Sequence, residues 1–225
     1  MTDNPTVPVE PAPSAVRREP EAMTGQATQI MASVTAPIAD PGPIWLAGFA
    51  MTTVLLSLVN AHIIGASAGN AVLPLALLYG GAAQLLAGMW EVRNRNTFGA
   101  LAFTSFGAFW ISYYVLARWW LGGLSAGAVN DAVGFFLLMW GIFTFYMFVA
   151  SFGTNVAIVL VFATLTAAFF LLAAGNLDSA NTGLIKAGGW VGLVCGVLAW
   201  YTSFAGVTNA TWKRTVLPVG PLSRG

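Results

Sequence analysis

A chain of 225 residues that is 57% hydrophobic and only 8% charged falls far below the roughly 25% charge of soluble domains, so lipid is its expected solvent. The formal net charge of +1 supplies no basic stripe for nucleic acid, and the single cysteine, Cys195, excludes an internal disulfide. No glycine-rich phosphate loop is present, and one His and one Cys in separate apolar stretches make neither a zinc site nor a thiol and base pair, so no enzyme chemistry, metal or cofactor is expected.

Residues 1–43 hold eight of the eleven prolines and no aromatic side chain. Such a stretch cannot bury enough apolar surface to offset its ordering entropy, and a disordered cytoplasmic N-terminal tail is expected. It lacks the basic start and apolar core of a secretory signal in that order, so it is expected to stay attached. Six apolar segments follow, at 44–64, 70–90, 98–121, 132–150, 155–174 and 183–206. Each approaches the roughly 20 residues that a helix needs to cross a hydrocarbon core of about 30 Å. Turn chemistry separates them: GASAGN, RNRNT, GGLSAGAVND, SFGTN and GNLDSANTG. The expected fold is therefore all-α and polytopic, with six transmembrane helices over 44–206 and a cytoplasmic tail at 207–225.

With six spans both termini lie on one side, together with Arg93, Arg95, Lys213, Arg214 and Arg224; the other side carries Arg118 and Lys186. The excess of basic residues places both ends in the cytoplasm. Trp45, Trp90, Trp119, Trp120 and Trp212 fall near span ends, where indole rings sit at headgroup depth. Gly188, Gly192 and Gly196 form a small-residue stripe, as do Ala100, Thr104 and Ala108; such stripes let helix backbones approach closely in lipid.

Two polar residues in the second span raise the question of function. Seven residues advance a helix by about 700°, so Gln84 and Glu91 project within roughly 20° of each other. Ionisable groups inside a membrane default to a functional role with a partner. Glu91 can instead form an interfacial ion pair with Arg93 or Arg95, whereas Gln84, two turns deeper, must bond across to another helix or face a wet passage. Hydroxyls and amides recur in the other spans, among them Thr52, Thr53, Ser57 and Asn60 in the first and Thr104 in the third. A single one more often bonds back to its own helix. Together they offer neutral donors that suit a small anion, or its protonated acid, in transit. His62 reads as a satisfied residue near a span end.

In order along the chain, GFAMTTVLLSLVNA, YGGAAQLLAGMWEVRNRNTFGALAFTSFGAFW, WGIFTFYMF, LLAAGN, GGWVGLVCG and RTVLPVG resemble the acetate uptake transporters, a family that includes bacterial succinate and acetate permeases and fungal acetate transporters. The resemblance covers residues 40 to 220. It implies a six-helix protomer with its own narrow path, a homohexameric assembly, and passage of acetate or related short carboxylates by proton symport or as an anion channel. It also implies a constriction of Phe49, Phe106 and Leu165. Phe106 stands where the family carries a tyrosine, which removes a hydroxyl and implies a drier gate. Gln84 and Glu91 match the family's pair, and Ala199 matches a position beside the path. Where the family usually reads NPAPLGL this chain reads DPGPIWL from Asp40 to Leu46, adding a negative charge and putting Trp45 in place of a glycine.

The expectation is thus a plasma-membrane transporter or channel for acetate and similar carboxylates. Phe49, Phe106 and Leu165 gate the path, Thr52, Asn60, Gln84, Glu91, Thr104 and Ala199 line it, and Glu91 is the candidate proton acceptor. Two competing readings stay open: a membrane sensor that binds a metabolite without moving it, and an exporter of ammonia or ammonium.

Overall fold

The computed structural model describes residues 38–222. The expected N-terminal tail lies, through residue 37, outside the described residues. Six helices are long and apolar enough to cross a bilayer: α1 Gly42–Asn60, α2 Ala66–Arg93, α3 Thr97–Gly123, α4 Ala126–Ser151, α5 Val156–Leu177 and α6 Thr182–Trp212. All six correspond to the segments expected from hydropathy, and no strand occurs among the described residues.

The helix starts follow from the turn residues. The first backbone N–H groups of a helix lack internal partners, and short polar side chains supply them. Asn96 Oδ1 accepts from the Gly99 N–H at 3.0 Å to start α3, and Asn155 Oδ1 accepts from Ile158 at 2.9 Å to start α5. Asn181 does the same for α6 through Leu184 at 3.2 Å. At α1 the Asp40 carboxylate accepts from the Gly42 N–H at 2.8 Å, ahead of Pro43 in the first turn, where its missing N–H leaves no bond unmade.

The chain departs from the expected tail at 207. Helix α6 continues to Trp212, and Lys213 then turns the chain with a positive φ of 54°. Residues 214–222 fold back as a strap. Asn209 holds it, accepting from the Val216 N–H at 2.7 Å and donating to the Leu217 carbonyl at 2.8 Å. The strap carbonyls of Gly220 and Val219 accept from the Val156 and Ala157 N–H groups at 2.8 and 3.1 Å. The first turn of α5 is thereby satisfied by backbone from the far end of the sequence.

Each helix packs on its chain neighbours and α6 closes on α1, so the six form a ring. The α1–α6 seam rests on Gly189, Gly192 and Gly196, where an added Cβ would strike the Ala61 backbone, the Ser57 hydroxyl and the Val54 side chain. Gly188, expected on that stripe, instead meets Leu172 of α5. The α2–α3 seam is as close: a Cβ on Gly88 would collide with the Thr104 hydroxyl and backbone. Between α3 and α4 the contact is aromatic, with Phe109 edge-on to Trp140 at 5.2 Å. Large apolar side chains such as Leu86, Met89, Phe135, Met139, Trp190 and Val197 are exposed on the outside of the ring, as lipid or a second subunit requires.

Helix α2 is irregular. Its middle, Leu78–Ala83, is a π-type turn before the α-helix resumes at Gln84–Arg93. Such a widened turn disturbs the regular bonding ladder, often at a functional position. The Gln84 side chain repairs it. In the amide orientation that satisfies both neighbours, Nε2 donates to the Gly80 carbonyl at 2.6 Å and Oε1 accepts from the Trp45 indole N–H of α1. Gln84 thus ties α1 to α2.

Two substitutions test these contacts. Gly88→Val should destabilise the protein by about 1–3 kcal/mol through overpacking, read as a lower unfolding temperature in detergent; an unchanged temperature refutes the close α2–α3 approach. Gln84→Leu should cost about 1–3 kcal/mol by leaving a buried N–H and a carbonyl unpaired, with Gln84→Glu partly restoring the acceptor to Trp45. Equal stability of Gln84→Leu and wild type in chemical denaturation would rule out the tie.

Candidate functional site

Three cavities follow one another through the ring. The first, about 280 Å³, opens where α1 begins and α6 ends; Asp40, Trp45, Glu91, Asn96, Thr202 and Asn209 lie on its wall. Val219 of the strap also lines it. Glu91 is buried, and the Asn96 and Asn94 side chains hydrogen-bond to its carboxylate. Among the described residues this wall carries two carboxylates and no lysine or arginine.

Beyond it the path is closed by a set of buried rings. Trp45 stacks on Phe103 at 4.2 Å with an interplanar angle of 14°. Phe49 lies 6.0 Å from both Trp45 and Phe106, and Phe162 lies 6.0 Å from Phe106. None of these rings carries a hydrogen-bonding group that faces an ion except the indole N–H of Trp45, and Gln84 already holds that one. Dewetting at such an apolar constriction is a recognised way to gate a pore.

A small central cavity of about 40 Å³ lies on the other side, lined by Phe49, Thr53, Trp110, Leu165 and Phe169. It shares Leu56, Asn60 and Phe109 with a third cavity of about 230 Å³ that also meets Tyr113 and Asn176. The terminal and central cavities share no lining residue, so the ring cluster is the interruption between them.

The expected site residues divide accordingly. Phe49 and Leu165 line the central cavity, Asn60 the central and far ones, and Glu91 the terminal one. Phe106 is fully buried behind Phe49 and lies edge-on to it. Ala199 is fully buried in the core of the ring. Gln84, Thr52 and Thr104 instead sit in helix contacts. Gln84 has both ends of its amide taken up by Gly80 and Trp45, so the face it was expected to share with Glu91 is not a continuous wet wall. Thr52 donates back to the Gly48 carbonyl at 2.8 Å and lies against Gly80, and Thr104 abuts Gly88.

Sequence reasoning passed over Phe103, Phe162 and Trp110, whose role is positional: aromatic side chains are common in such a chain, and only the fold brings these to the axis of the ring. Trp45 was visible as added bulk, and its stacking on Phe103 was not.

The family profile described as the GPR1/FUN34/yaaH family matches residues 23–224. The succinate-acetate/proton symporter SatP of Escherichia coli strain K12 is 40% identical over 184 residues, covering 81% of this chain and 96% of that protein. Accumulation of dyads protein 2 of Saccharomyces cerevisiae is 41% identical over 176 residues, covering 76% of this chain; the chain spans only 62% of that longer protein. Among solved structures, the bacterial acetate channel SatP superposes with a TM-score of 0.75 at 39% identity, covering 82% of this chain and all of that one. With the match running through all six helices, the chain belongs to the GPR1/FUN34/yaaH family.

Proposed function

We propose that this multi-pass membrane protein conducts acetate and related short-chain carboxylates along the axis of its own six-helix ring. The observation that carries this reading is the line of three cavities inside one chain, interrupted only by stacked apolar rings. An inert anchor or a purely structural bundle has no use for internal space on both sides of a dry barrier, with Asp40 and Glu91 on the wall of one side and Thr53 and Asn60 on the other. The relatives named as an acetate channel and a succinate-acetate/proton symporter support the same substrate class.

In this reading Phe49, Phe106 and Leu165 are the gate, backed by Trp45, Phe103 and Phe162. Asn60 replaces hydration on the far side. Glu91 is the group that takes up a proton in the terminal cavity, with Ala199 helping to set the room beside the path. The terminal cavity faces the cytoplasm, following the excess of Arg93, Arg95, Lys213 and Arg214 at that end, and the membrane is the plasma membrane. The exposed apolar flanks of the ring serve a homohexamer and the surrounding lipid.

Purified protein in proteoliposomes should show saturable uptake of radiolabelled acetate; binding without flux would favour the sensor reading. Leu165→Ala should raise acetate flux several-fold and admit longer carboxylates, and an unchanged rate and length limit would remove Leu165 from the gate. Glu91→Gln should abolish the stimulation of uptake by an inward proton gradient. If that stimulation persists at the wild-type level, Glu91 is not the proton acceptor.

A further inference from the structure

Threonine in the apolar helices of this protein has a habit. Thr52 donates to the carbonyl four residues back at 2.8 Å, and Thr144, Thr166 and Thr202 each do so at 2.7 Å. This is the ordinary way for a hydroxyl to be satisfied without water. Thr53 breaks the habit. Its hydroxyl is buried and has no partner among the described residues, and the one other buried side-chain atom in that condition is the indole N–H of Trp110. Thr53 is 7% and Trp110 2% exposed. Both residues line the same central cavity, beside Phe49 and Leu165.

Leaving two hydrogen-bonding groups unpaired in an apolar interior is costly, and their meeting on one cavity wall marks it as a binding site. The ligand chemistry follows from the groups. An indole N–H only donates and a hydroxyl can donate, so the complement is an acceptor, and neutral donors hold a carboxyl group without trapping it. The remaining wall includes Leu137, Leu165, Ala168, Phe169 and Leu172, which suits a short alkyl tail. A cavity of about 40 Å³ has room for roughly three water-sized centres, at about 10–15 Å³ each. That is the scale of a two- or three-carbon acid; a four-carbon dicarboxylate has twice the heavy atoms of acetate and a second head to desolvate.

We propose that Thr53 and Trp110 form a carboxyl-binding subsite on the far side of the ring barrier, and that its size makes this protein selective for short monocarboxylates over dicarboxylates. The inference rests on the transport reading and goes beyond it by naming the donors and the size limit. Asn60, which lines both the central cavity and the far one, leads from the subsite to water.

The test uses full-length protein in proteoliposomes and measures radiolabelled acetate uptake against concentration for wild type, Thr53→Val, Thr53→Ser and Trp110→Phe. Unlabelled propionate, butyrate and succinate serve as competitors. Thr53→Val and Trp110→Phe should each raise the half-saturating acetate concentration roughly five- to tenfold, the equivalent of one lost hydrogen bond, with a smaller change in maximal flux. Thr53→Ser, which keeps the hydroxyl, should stay near wild type. Succinate should compete at least tenfold more weakly than propionate. Wild-type half-saturation in both donor-deleted variants overturns the subsite, and succinate competing as well as propionate overturns the size limit. Absence of carboxylate flux in wild type overturns the transport reading itself, which separates that failure from the failure of the subsite.

Discussion

A polar group inside a bilayer has no water to turn to, and the interior of this protein is organised by that constraint. Most hydroxyls answer it locally by bonding back to their own helix. The Gln84 amide answers it at longer range, taking the Gly80 carbonyl of the π-type turn and the Trp45 indole of the neighbouring helix. The caps Asn96, Asn155 and Asn181 answer it at the helix ends. Against so complete a pattern, the places where polar groups face space become informative. They are the terminal cavity around Glu91, the vestibule around Asn60 and the narrow central chamber between them.

The same constraint explains why the barrier is aromatic. Rings can pack face to face and edge to face without any polar atom needing a partner, so a plug of Trp45, Phe49, Phe103, Phe106 and Phe162 is stable when dry. It can also part without breaking hydrogen bonds, except the one between Trp45 and Gln84. A phenylalanine at position 106 fits this arrangement. A phenol at that depth would need a partner, and Phe106 is fully buried among Phe49, Phe143 and Phe162.

The six spans were legible in the sequence because hydropathy over twenty residues is a strong signal, and the asparagine caps lay inside stretches already recognisable as turns. Glu91 was legible as a residue needing a purpose. Gln84 was legible only as a choice between a partner and a passage, because its partner sits on another helix and the intervening π-type turn leaves no mark in the apolar pattern. Of the expected glycine stripe, Gly192 and Gly196 lie in the α1–α6 seam and Gly188 packs on α5 instead: faces separated by three and four positions drift around a helix, and only the crossing of α6 with α1 decides that Gly189 joins the seam. Thr53 and its neighbour Thr52 are chemically identical, and nothing short of side-chain rotation distinguishes the one that bonds back from the one that does not.

The returning strap, residues 214–222, is tied to the beginning of α5 and reaches the rim of the mouth nearest Glu91. Its Leu222 N–H donates to the carbonyl of Thr154, itself on the wall of that cavity, at 2.9 Å, so the strap runs beside the vestibule rather than away from it. Trimming the chain back to the end of α6 strips the Val156 and Ala157 amides of their acceptors, so residues 214–222 belong to the architecture of the terminal cavity and should be kept whenever the protein is shortened for crystallisation or display.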